Sequence, residues 1–218
     1  MTTLDAAPVA PLLDRLFAEA DAARSPTMTA LSRDEWERLM HSKTEYLHLY
    51  ELMKDLWLPV SRETGVLLYM LARSTSARSV VEYGTSFGIS TLHLAAALRD
   101  NGGGHLITSE FEPSKVARAR QHLTEGGLVN LVEIREGDAL KTLSVDLPDG
   151  IDLLLLDGAK ALYPEILGLV EGHLRPGALV VADNADFCPE YLERVRAPDS
   201  GYMSIPFAED IELSMRLG

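Results

Sequence analysis

The stretch Val80–Ser90, VVEYGTSFGIS, decides how the rest of the chain is read. An apolar run, Ser79-Val80-Val81, leads into an acid, Glu82; then come two glycines, Gly84 and Gly88, and a helix-like segment over Ser90–Leu98. A buried parallel strand, a tight glycine turn and a helix whose first amides face a ligand are written this way. The glycines provide positive φ or a close backbone approach where a Cβ would obstruct. In an open α/β sheet such a turn lies outside the carboxyl end of a strand, where a ligand containing adenosine is the natural guest. The dinucleotide fingerprint is a different pattern, three glycines as G-x-G-x-x-G suited to a pyrophosphate. Here only Gly84 and Gly88 are glycines, and Ser86 and Ser90 supply hydroxyls. Taken alone, the turn fits a nucleotide-like site or a plain strand-to-helix connection.

Outward from this stretch, strand and helix patterns alternate. Strands are expected near Ser79–Tyr83, His105–Ser109, Val132–Arg135, Ile151–Leu156 and Ala178–Ala182, with Arg175-Pro176-Gly177 as a turn before the last of them. Helices are expected near Ser90–Arg99, Pro113–Glu125, Asp138–Ser144, Leu162–His173 and Pro189–Val195. That alternation calls for a mostly parallel sheet covered by helices on both faces. Two strand-like pieces in Gly201–Leu217 read as an antiparallel pair closing one edge. Upstream, Pro11–Ala23 is amphipathic, Arg24-Ser25-Pro26-Thr27 is a breaker, and Ser32-Arg33-Asp34-Glu35 resembles a capping box opening a helix over Asp34–His41. Ser42–Trp57 reads as one helix, with Tyr46 and Tyr50 on a stripe suited to a packed core or a pocket mouth. Leu58-Pro59-Val60-Ser61 ends it, and Glu63–Arg73 begins the next.

The 218 residues suit one α/β domain with an amino-terminal extension, divided here as 1–57 and 58–218. A net charge of −13 argues against nucleic acid and against anionic membrane surfaces as partners. No apolar run approaches the roughly 18 residues that span a bilayer, and no signal peptide is evident, so a cytoplasmic protein is expected. The single cysteine, Cys188, excludes an internal disulfide and a multi-cysteine metal site.

The polar residues that could carry chemistry fall at strand ends. Glu110 follows the second strand; an acid there can accept hydrogen bonds from both ribose hydroxyls, or simply favour a helix amino terminus. Gly137-Asp138-Ala139 follows the third strand, where Asp138 can read an adenine edge, cap a helix, or do both. Asp157-Gly158-Ala159-Lys160 follows the fourth strand and Asp183-Asn184 the fifth. Two carboxylates and an amide oxygen make an all-oxygen set suited to a hard ion such as Mg²⁺, whereas Zn²⁺ would favour His or Cys. Two buried acids without a cation repel each other, so a metal or Lys160 is needed nearby. Lys160 itself is a candidate general base or a structural counter-ion.

With these residues in order, the chain resembles the cation-dependent O-methyltransferases that use S-adenosylmethionine, the catechol and caffeoyl-CoA type. The resemblance runs from about Leu58 to Leu217. VVEYGTSFGIS matches the family's first motif with Glu82, Gly84, Ser86, Gly88 and Ser90; Asp157–Tyr163, DGAKALY, resembles its D-x-x-K-x-x-Y, and Asp183-Asn184 its D-N pair. The resemblance implies a Rossmann-like class I methyltransferase fold, a mostly parallel seven-stranded sheet with an antiparallel edge and extra amino-terminal helices. It implies that Val60, Glu82, Gly84, Ser86, Gly88, Ser90, Glu110, Asp138, Ala139 and Asp157 bind S-adenosylmethionine, which leaves as S-adenosylhomocysteine. It also implies that Asp157, Asp183 and Asn184 hold Mg²⁺ or another divalent cation, that Lys160 and Asp157 are catalytic, that the acceptor is a small phenolic or catechol-like molecule, and that the chain forms a homodimer. Two features depart from the pattern: Ala185–Ser200 is short for a substrate loop, and the amino-terminal region matches no assigned segment. A metal-independent methyltransferase of the same fold is the nearest competing reading. A dehydrogenase is disfavoured by the missing third glycine, and a non-catalytic binder would leave Lys160, Asp183 and Asn184 without a role.

Overall fold

The computed structural model describes residues 1–23, 32–207 and 210–218; the breaker at 24–27 lies outside the described residues. Seven strands form one sheet: β1 (Ser79–Tyr83), β2 (His105–Glu110), β3 (Val132–Glu136), β4 (Ile151–Leu156), β5 (Leu174–Ala182), β6 (Tyr202–Phe207) and β7 (Ile211–Arg216). Their order is β3-β2-β1-β4-β5-β7-β6. The first five are parallel, and β7 pairs antiparallel with both β5 and β6. The expected mostly parallel sheet with an antiparallel edge is therefore the observed one. Chain order reverses between β1 and β4, the switch point outside which such sheets hold ligands.

Period-two alternation divides the core. Val80, Leu106, Leu153, Leu155 and Val181 face one layer, while Val81, Ile107, Leu154, Leu156 and Val180 face the other. The first layer is built by α1 (Val9–Ala22), α4 (Arg62–Ser74), α5 (Ile89–Asp100) and α6 (Pro113–Glu125); the second by α7 (Ala139–Thr142), α8 (Tyr163–Val170) and α9 (Pro189–Arg196). Leu12, Leu13, Leu16 and Phe17 of α1 are buried in the first layer, so this helix completes the main core. Each such side chain contributes about 1.5–3 kcal/mol on burial. The one acid inside the β4 run, Asp152, accepts from Arg78 and Ser79 N–H at 2.7 and 2.9 Å and pairs with Arg175, stitching strand ends on the side of the sheet away from the site. Among the described residues no helix is long and apolar enough to cross a membrane.

Three elements differ from the sequence expectation. The Ser42–Trp57 segment is helical only over α3 (Tyr46–Leu52). At its start the Ser42 hydroxyl accepts from Thr44 and Glu45 N–H, a local turn that competes with the helix. At its end turns run into Leu58-Pro59, and the residue before a proline avoids the α region. The Arg175-Pro176-Gly177 turn lies inside β5: the register with β4 shifts between Ile151 and Leu153, so the turn residues form an irregularity within the strand. The helix expected at Asp138–Ser144 shrinks to a single turn, α7, capped by Asp138. The capping box at Ser32 and Glu35 is present and opens α2 (Arg33–Met40).

Candidate functional site

The carboxyl ends of β1, β2, β3, β4 and β5 open into one cavity of about 870 Å³. Gly84 sits where the ends of β1 and β4 converge. Its φ is +105°, and an added Cβ would stand 2.4 Å from the carbonyl oxygen of Asp157, so any side chain would drive the strand ends apart. Beyond it Ser86 also takes a left-handed conformation, at φ 47°. Its N–H donates to Glu110 Oε2 at 2.7 Å, while its hydroxyl is buried with no partner among the described residues. Glu110 Oε1 accepts from Glu112 N–H at 3.0 Å, so backbone amides fix the carboxylate at the cavity wall. Asp138 caps α7 through Leu140 N–H at 3.0 Å, accepts from the Tyr46 hydroxyl at 3.2 Å, and lines the same cavity together with Ala139 and Val60.

Glu82, Gly88 and Ser90 stand behind this wall instead of in it. Glu82 is fully buried: Oε1 accepts from Ser90 Oγ, and Oε2 from the hydroxyls of Thr91 and Thr108, each at 2.6 Å. Burial raises its pKa, and the three hydroxyls oppose that shift. The network ties β1 to β2 and to the first turn of α5, which holds the glycine turn in place. Gly88 caps α5 with φ 86°. Ser90 borders only a niche of about 10 Å³ beside the main cavity.

The ledge formed by β4 and β5 carries the charge. Lys160 Nζ donates to Asp157 Oδ1 at 2.8 Å and lies 3.5 Å from Asp183 Oδ2; Lys160 and Asp183 are buried, and Asp157 is partly buried at the cavity wall. Tyr163 locks the ledge from beneath, its hydroxyl reaching the carbonyl oxygens of Leu156 at 2.8 Å and Asp183 at 2.7 Å. Burial raises the pKa of Asp157 against the pull of Lys160. Burial, then repulsion from Asp157, pushes Asp183 up to about 7. Burial disfavours the Lys160 ammonium, but the two carboxylates outweigh it and hold its pKa above the ordinary lysine value. Two acids thus share one lysine, and the cluster has room for further positive charge. Asn184 follows at φ 47°, a left-handed conformation that asparagine tolerates. Its Nδ2 donates to Asp210 Oδ2 at 3.0 Å, and among the described residues Oδ1 has no hydrogen-bond partner. No group of three His, Cys, Asp or Glu is gathered closely enough to hold a metal among the described residues. The amide oxygen of Asn184 would therefore be a needed third donor beside Asp157 and Asp183.

The family described as a methyltransferase domain matches residues 81–185, from inside β1 to just past the ledge. A catechol O-methyltransferase of Niastella koreensis is 37% identical over 128 residues, 57% of this chain and 57% of that protein. Catechol O-methyltransferase B of Danio rerio is 34% identical over 162 residues, 70% of this chain and 60% of that protein. Among solved structures, the O-methyltransferase TomG of Streptomyces achromogenes, involved in tomaymycin synthesis and in complex with SAM, superposes with a TM-score of 0.66 at 28% identity, covering 84% of this chain and 94% of that one. The chain is thus similar to O-methyltransferases of the catechol type over the sheet and its ledge. The match covers less than two thirds of either catechol O-methyltransferase named above.

Three cavity residues lay beyond the motifs. Tyr50 lines the cavity from α3 and is influenced electrostatically by Lys160 and Glu110, so the helix stripe that suits a core also walls the site. Lys115, buried and lining the cavity, has its pKa lowered by burial against the pull of Glu110 and Glu112. Asp210 arrives from the turn before β7. For Lys115 the available signal was its place five residues after Glu110, in the first turn of α6; for Asp210 the sequence offers none.

Proposed function

We propose that this chain transfers the methyl group of S-adenosylmethionine to a hydroxyl of a small phenolic or catechol-like acceptor, assisted by a divalent cation such as Mg²⁺. The observation that carries this reading is that the Asp157–Lys160–Asp183 ledge opens into the same cavity as Glu110 and Asp138. A ribose-type acid and an excess of buried negative charge thus face one space. Val60, Gly84, Ser86, Glu110, Asp138, Ala139 and Asp157 would hold the cofactor, with Glu82, Gly88 and Ser90 fixing the turn it rests on. The unpartnered Ser86 hydroxyl in the wall fits a polar ligand. Asp157, Asp183 and Asn184 supply a hard, all-oxygen donor set.

S-adenosylmethionine supplies the electrophilic methyl when bound. A divalent ion on the ledge supplies Lewis acidity that lowers the pKa of an acceptor hydroxyl. The chain does the rest. Glu110 and the Gly84 turn fix the cofactor's orientation, and the ledge sets the acceptor hydroxyl near it; holding two reactants in line removes much of the barrier. Lys160 is a protonated partner of two carboxylates as long as both face it. It becomes a proton acceptor for the hydroxyl only when those carboxylates are engaged elsewhere. Trp36, Met40 and Phe187 provide an apolar wall against which an aromatic acceptor packs while water is excluded. A cytoplasmic homodimer completes the proposal, with α2 and α3 as the cap; the expected boundary at 57/58 does not separate α1, which packs into the core of the methyltransferase body.

Release of S-adenosylhomocysteine from a panel of catechols and phenols tests it, with chelator-treated protein and with Mg²⁺ restored. Transfer that chelation abolishes and Mg²⁺ restores is the expected result. Equal turnover after chelation would favour the metal-independent enzyme, a reading that Lys160's approach to both carboxylates supports. No transfer under either condition would remove the phenolic acceptor.

A further inference from the structure

We propose that Asp210 is a positioning residue for the cation site: it holds the Asn184 carboxamide by its nitrogen and so presents the oxygen to the metal. The inference rests on the cation site proposed above. A carboxamide has two unlike ends, an acceptor oxygen and a donor NH₂, and only the oxygen can ligate a hard cation. The last torsion of asparagine is broad and roughly two-fold, so an untethered side chain offers either end. An ionised carboxylate only accepts, and can therefore take only the NH₂ end. Asp210 Oδ2 does this at 3.0 Å, and the Asp210 carbonyl oxygen accepts from Ala185 N–H, also at 3.0 Å. Both contacts depend on the sheet edge: β7 pairs with β5 through Ala182 and Glu212, which brings the residue preceding β7 against the turn that follows β5. Asp183, Asn184 and Asp210 all line the cavity. Asp210 itself need not touch the ion. Its carboxylate adds negative charge as well as direction, and the two effects separate experimentally, because asparagine at 210 keeps an acceptor oxygen and loses the charge.

The test is a calorimetric titration of Mn²⁺ into the full chain, without cofactor or acceptor, for wild type, D210A and D210N, each checked for a cooperative melt. Wild type should bind one ion. D210A should bind about 10–100-fold more weakly, the usual cost of losing a partner of a metal ligand, and D210N should stay within a few-fold of wild type. Adding N184D to D210A should restore much of the affinity, since a carboxylate at 184 presents oxygen at either end; a role confined to bracing the loop would not be rescued this way. If D210A melts without cooperativity, D210N with and without N184D carries the comparison, and N184D should then gain nothing. Wild-type binding with D210A unchanged, or equal losses in D210A and D210N, would overturn the positioning role while leaving the cation site standing. No binding by wild type would remove the cation site, and this inference with it.

Discussion

The cavity has two unlike halves. The ledge at the ends of β4 and β5 is held by buried bonds: Tyr163 to both strand ends, Lys160 to both acids, and Gly84 packed against the Asp157 carbonyl. The cover, α2 and α3, has a small core of its own around Leu39, Leu49 and Met53. Its polar ties to the body include ion pairs from Lys43 to Glu165 and Glu190, at 2.7 and 2.6 Å, and the Tyr46–Asp138 bond. Leaving a buried polar group unsatisfied costs about 1–3 kcal/mol, whereas an exposed ion pair contributes about 0–1 kcal/mol. The half that carries charge is therefore rigidly built, and the cover, which on the function proposed above would meet the acceptor's outer surface, is lightly attached. On the proposed function, chemistry and acceptor fit would be separable.

The most severe way to probe that separation is to remove the ledge's donors. Asp183→Ala combined with Asn184→Ala should abolish metal-dependent turnover while the thermal melt stays cooperative; retained turnover would mean that the ledge is not where chemistry occurs. Lys160→Ala should lower kcat by about 10²–10⁴-fold, the range for a lost general base, with little change in cofactor Kd. Equal losses in kcat and cofactor affinity would make Lys160 a counter-ion. Acidity gives a gentler test. Asp183 has a folded-state pKa raised to about 7, so between the ordinary carboxylate range and pH 7 the native chain binds the extra proton. Without added metal, this group's contribution to stability should fall as pH rises through that window, and Asp183→Asn should flatten the dependence of Tm on pH. A profile equally steep in both proteins would place the titration elsewhere. The smallest effect belongs to the cover: Lys43→Ala should cost less than about 1 kcal/mol of stability and raise the acceptor KM a few-fold with kcat unchanged. A large loss of kcat would break the division between the halves.

The ledge was legible because each of its residues ends a run that folds locally. Leu153–Leu156 can only be a buried strand, so Asp157 must emerge at its end, and the same reasoning places Asp183 after Val180–Ala182. Residues whose partners arrive from afar were not legible. Glu82 and Ser90 read as cofactor contacts, yet they bond each other, and Glu82 also accepts from the hydroxyls of Thr91 in α5 and Thr108 in β2. Asp210 meets Asn184 only because β7 inserts antiparallel between β5 and β6, a placement no local pattern encodes. The cover was misjudged for a local reason: a continuous helical stripe over Ser42–Trp57 concealed a serine turn at one end and a proline-directed stop at the other.

The most direct test of the central claim, that the cavity beside the Gly84 turn is an S-adenosylmethionine site fixed by Glu110, is calorimetric titration of that cofactor into wild type and Glu110→Ala. One site per chain is predicted for wild type, weakened by about 10–100-fold in the variant, as expected when hydrogen bonds to a charged group worth about 1.5–3 kcal/mol are lost. No binding by wild type, or identical binding by both proteins, would contradict the account.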